Sequence, residues 1–109
     1  MQGVTEDRFG IGYSGIGYRT SGVKLVPLAE TEAGPFSDGS YADVTSGKYP
    51  LWRFLYIYIN KAPTRALDPL VGEFVKLIFS KEGQESVVKD GYMPIPATIA
   101  KTELSTVVK

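Results

Sequence analysis

The chain has 109 residues, enough for one small hydrophobic core, and 43% of them are hydrophobic, including seven Tyr and five Phe. Twelve basic residues balance twelve acidic ones, so the long-range positive field that nonspecific nucleic-acid binding needs is missing. His and Cys are both absent, which removes imidazole bases, thiolate nucleophiles and zinc sites of the usual ligand type.

No run of ~18 apolar residues occurs, so no membrane-spanning helix is expected. The first ten residues, MQGVTEDRFG, offer neither a charged leader region nor an apolar stretch, so no signal peptide is expected in this segment.

Residues 9–18 alternate Gly with Ile, Tyr and Phe. Their β-branched and aromatic side chains predict a strand, and the glycines would let neighbouring backbone come close. The stretch Gly10-Ile-Gly-Tyr-Ser-Gly15 satisfies G-x-G-x-x-G. Nucleotide binding would also need a strand before it and a helix opening at its third glycine; Gly17 and Gly22 follow instead, so the pattern reads as a glycine-rich strand. GIGY occurs at Gly10 and again at Gly15, too short a unit for a structural repeat and better read as a bend at Ser14-Gly15.

A second short strand is expected over residues 23–28, VKLVPL, with Pro27 at an edge or end. Residues 29–39 are rich in Glu, Thr, Gly, Pro and Ser and predict a loop. Glu30, Glu32, Asp38 and Asp43 lie in or near it, but without the tight Asp/Asn alternation of a calcium loop they read as solvated carboxylates. A short helix over residues 41–47 would close at Gly47.

Residues 51–59 are the clearest strand. Leu51, Leu55, Ile57 and Ile59 alternate with Trp52, Phe54, Tyr56 and Tyr58. Both faces are apolar, which predicts a central strand covered on both sides. Arg53, its one basic residue, reads as a buried core or hinge charge. An aromatic base-stacking platform is the competing reading, and zero net charge argues against it.

Three helices follow a turn at residues 60–66. Asp68 and Pro69 form an N-cap and first-turn pair, after which Leu70, Val71, Phe74, Leu77 and Ile78 make one apolar stripe. Ser80 caps a helix with Glu82 near its start and Gly91 at its close. Pro94 and Pro96 force an extended link. A last helix from about Ala97 places Ala100, Leu104, Val107 and Val108 on one face. The sum is an α/β fold of few strands plus C-terminal helices. Walker, nucleophile-elbow and acid–base patterns are all missing, so no catalytic residue, metal ligand or cofactor is assigned.

The order of GIGYSGIGY, GVKLVPLA, SGKYPLWRFLYIYINK and EFVKLIFSKEGQESVVKDGYMPIP resembles the C-terminal portion of phosphate-binding proteins, the extracytoplasmic substrate-binding subunits of phosphate ABC importers. The likeness runs from about Phe9 to Pro96. It implies part of a two-lobed clamshell of the type II periplasmic-binding-protein class. Residues 1–48 would be a remnant of the second lobe and residues 49–60 the strand crossing back through the hinge at Tyr49, Pro50 and Leu51. Residues 61–109 would supply the closing helices of the first lobe.

In that family the anion is held by helix N-terminal amides, Ser and Thr hydroxyls, one Arg and one Asp. The Arg segment carries a Ser-Gly-Thr turn. Thr20-Ser21-Gly22 has the wrong order and Ser46-Gly47-Lys48 lies at the hinge entry, so no ligand-binding residue carries over to this segment. The resemblance implies inorganic phosphate and an ABC permease as partners of the intact protein, and a periplasmic or membrane-anchored extracellular location. Strands that lack neighbours imply self-association of the segment. The alternatives are a stand-alone dimeric α/β interaction module without a small ligand, or a binding protein for another oxyanion such as molybdate or tungstate.

Overall fold

A computed structural model describes residues 1–108 and divides the chain into two compact units, Met1–Tyr56 and Ile57 onward. The first unit is mostly irregular backbone. Helix α1, Gln2–Glu6, opens it and a single 3-10 turn spans Ile16–Tyr18. Helix α2, Tyr41–Thr45, starts at Ser40, whose hydroxyl accepts from the Asp43 amide, and ends before Gly47 at φ +76°. That left-handed value explains the stop at glycine. The Gly34–Pro35 peptide is cis.

The second unit holds the three expected helices, and local chemistry sets their ends. In α3, Pro69–Phe79, the Asp68 carboxylate accepts from the Leu70 and Val71 amides at 2.9 and 3.3 Å. Ser80 alone separates it from α4, Lys81–Lys89, and caps that helix by accepting from the Gly83 amide at 3.1 Å. Gly91, at φ 87°, ends α4, with Gly91 and Tyr92 amides returning to the Val88 and Val87 carbonyls. Helix α5, Ala97–Val107, follows the proline link. Helix α3 packs against both α4 and α5. Gln84 fastens the corner: its amide nitrogen donates to the Ile78 carbonyl at 2.8 Å and its oxygen accepts from the Ile95 amide at 2.9 Å.

The strand expectations fail. Among the described residues, β pairing is confined to one antiparallel bridge between Leu28 and Ser37. Residues 9–18 form loop and 3-10 turn, with Phe9, Ile11 and Tyr13 each almost fully exposed. Residues 52–59 run without strand pairing; Leu55, Tyr56, Ile57 and Tyr58 are all exposed, and so is Arg53, which is no core charge. A strand is stable only when another strand takes its amides and carbonyls and a second layer covers its side chains. Here the apolar pattern is present and the partners are not. The edge-to-face contacts of Trp52 with Phe54 and Phe54 with Tyr56, at 5.4 and 6.5 Å between centroids, join alternate side chains of one extended run.

The α3 stripe is also split. Val71, Val75 and Ile78 turn inward with Gly72, while Leu70, Phe74 and Leu77 are 79%, 57% and 53% exposed. Among described residues the buried apolar side chains are Val75 and Ala100. The chain exposes 9047 Å² at 11.9 kDa. Two wholly separate compact proteins of half that mass would together expose only about 7,200 Å². The chain thus exposes more surface than compact folding leaves, and large apolar side chains such as Phe9, Leu51, Tyr58 and Leu70 are part of it.

Candidate functional site

The polar centre of the first unit lies just ahead of the expected hinge. Leu28 and Ser37 exchange both backbone hydrogen bonds at 2.8 Å, closing a loop over residues 29–36. That pairing buries Ser37 to 2% exposure. Its hydroxyl donates to an Asp43 carboxylate oxygen at 2.6 Å and accepts from the Gly39 amide at 3.1 Å. Lys48 Nζ approaches the same Asp43 oxygen at 3.4 Å, and the Asp43 carbonyl accepts from the Tyr49 amide at 3.1 Å. One residue of α2 thus ties the loop before it to the segment after it.

The Ser37 hydrogen bond, helped by the Lys48 charge and opposed by partial desolvation, holds the Asp43 carboxyl below its ordinary value of 3.8. A carboxylate with lowered basicity is a poor acceptor of a hydroxyl proton in catalysis. The buried Ser37 hydroxyl already donates once and accepts once. The trio therefore organises backbone and is not arranged as a nucleophile and its base.

Of the expected hinge residues, Tyr49 and Pro50 are half-buried and Leu51 is exposed. Only Tyr49 is bonded directly to the Asp43 clasp. Glu30, Glu32 and Asp38 are exposed and spread along the loop. Asp38 accepts from the Ser40 amide at 3.3 Å, a local turn contact. No group of three or more His, Cys, Asp or Glu able to hold a metal occurs among the described residues. Among them, too, no helix is long and apolar enough to cross a membrane.

The Ser37–Asp43–Lys48 clasp did not emerge from sequence reading. A signal existed: Ser40 is an N-cap residue whose hydroxyl accepts from the Asp43 amide, which fixes the start of α2 and the backbone position of Asp43. Ser37 as its partner depends on the loop geometry.

No family model matches the sequence. Among curated proteins, the chain is 52% identical over 101 residues to "Phosphate-binding protein PstS" of Pseudomonas aeruginosa, covering 93% of this chain and 31% of the relative. It is 30% identical over 92 residues to "Phosphate-binding protein PstS 2" of Streptococcus agalactiae, covering 84% of this chain and 28% of that protein. With "Protein SphX" of Synechocystis the identity is 32% over 100 residues, covering 88% and 29%. The chain therefore belongs to the phosphate-binding-protein family and matches its C-terminal part, spanning under a third of the length of these relatives.

Proposed function

We propose that the chain is the C-terminal part of an extracytoplasmic solute-binding protein that captures inorganic phosphate and delivers it to an ABC permease. The single observation that carries this is 52% identity to a phosphate-binding protein across 93% of the chain. In this reading the chain supplies a scaffold in the partial clamshell, with residues 1–48 from one lobe, residues 49–60 crossing between lobes and residues 61–109 closing the other. Tyr49, Pro50 and Leu51 form the hinge, and the clasp at Asp43 anchors its start through the Tyr49 amide. The anion ligands lie in the other part of the protein. The stand-alone module and the molybdate or tungstate binder are less well supported, since two of the three relatives described carry phosphate in their names.

A single-chain hybrid tests the reading. This chain replaces the matched 101 residues of the P. aeruginosa relative, and phosphate binding is followed by calorimetry. Binding comparable to the unaltered relative is expected. The 109-residue chain alone should give no heat beyond dilution, and micromolar binding by it would move the ligands into this segment.

Alone, the chain should also self-associate through its uncovered residues 51–59, because extended backbone flanked by exposed Leu55, Tyr56 and Ile57 seeks another strand. Light scattering at tens of micromolar should give a mass above the 11.9 kDa of one chain; a clean monomer at that concentration contradicts the expectation.

A further inference from the structure

Seven of the eleven residues of α3, PLVGEFVKLIF, are Leu, Val, Ile or Phe. A surface helix confines such residues to one stripe, whereas a helix apolar around most of its girth is buried on more than one side. Among the described residues α3 packs against α4 and α5, and its buried positions are Gly72, with Leu67 nearest to it, and Val75. Leu70, Phe74 and Leu77, spaced i, i+4 and i+7, form a second apolar face that is more than half exposed. The rim of that face is electrically neutral: Glu73 and Lys76 pair with each other at 2.6 Å. Its complement is therefore apolar and uncharged.

We propose that the Leu70–Phe74–Leu77 face of α3 is a docking surface for the polypeptide that makes up the rest of the family's length, and that this polypeptide can bind it in trans, as a separate chain. The inference rests on the family reading above. The matched residues make up 31% of the P. aeruginosa relative, so most of the chain available to cover such a face lies outside this segment. A second copy is the poorer occupant. Face-to-face pairing of two α3 helices would bring only the same three side chains from each copy. It would also leave residues 52–59 of each copy without strand partners. The remaining polypeptide does not repeat the same three side chains or the same unpaired segment.

The test co-expresses this 109-residue chain with the P. aeruginosa relative lacking its matched 101 residues. A one-to-one complex is expected by light scattering. Phe74→Glu should weaken it by at least about tenfold, and Lys76→Gln, on the neutral rim, should leave it intact. Because Phe74 is 57% exposed, Phe74→Glu should not lower the helical circular dichroism of this chain alone, which separates loss of docking from loss of folding. No complex, a complex indifferent to Phe74→Glu, or a homodimer persisting beside the other fragment would each overturn the inference, provided the single-chain hybrid binds phosphate. A hybrid that fails to bind phosphate removes the family function and this inference together.

Discussion

Gly83→Ala is expected to destabilise the helical unit by about 2–3 kcal/mol, lowering its melting temperature by roughly 10 °C or more in a scan followed by circular dichroism. The usual effect of this change inside a helix has the opposite sign, a gain of about 1 kcal/mol. Here a methyl group at Gly83 would overlap the Leu77 carbonyl oxygen and stand only 2.9 Å from the Ile78 carbonyl oxygen. Both atoms belong to the last turn of α3, and a single residue, Ser80, joins the two helices. Neither carbonyl can swing aside like a flexible side chain, so the helices must splay. Splaying also strains the Gln84 bond to the Ile78 carbonyl. Gly72→Ala is the matched control: its new methyl would find only Leu67 Cδ2 at 3.9 Å, an ordinary contact, and should stabilise by about 0.5–1 kcal/mol. A Gly83→Ala protein that melts no lower than the parent would show that the tight α3–α4 turn is not a constraint on the fold.

Ser37→Ala should cost about 1–3 kcal/mol in the first unit, because it removes the partner of a buried Gly39 amide and of the Asp43 carboxylate at once. The readout is amide hydrogen exchange, expressed as protection relative to the unfolded peptide. Protection at Leu28, Ser37 and Tyr49 should fall together, since their bonds form one closed loop through Asp43. Acid should do the same to the parent chain. The folded Asp43 carboxyl lies below its ordinary 3.8, so its contribution is fully present above that value and fades as pH drops through the lower folded one. Asp43→Asn, which cannot titrate, should lose that acid-dependent step. Unchanged protection at Tyr49 in Ser37→Ala would sever the clasp from the proposed hinge entry.

How much of this could be read from residues alone differs by segment. Asp68-Pro69, Ser80 and Gly91 were legible as helix signals because capping involves groups within three residues of one another, and the helices start and stop where those signals lie. The inward face of α5, with Ala100 buried, likewise matches its spacing. The α3 stripe was legible as apolar but not as two faces, since periodicity says which residues avoid water and not which neighbour takes each one. Ser37 was missed because its partner, six residues on, reaches it only after the Leu28–Ser37 bridge has closed the loop.

Residues alone thus determined the helices and the family of this chain, for both reside in short-range order along the backbone. Tertiary structure alone decided that residues 9–18, 23–28 and 51–59 are not strands within it, and that α3 keeps an open side. The physical reason is that a strand or a buried helix face is a property of two surfaces. A sequence displays one of them in full, while the other has to be present in space for the hydrogen bonds and the burial to exist.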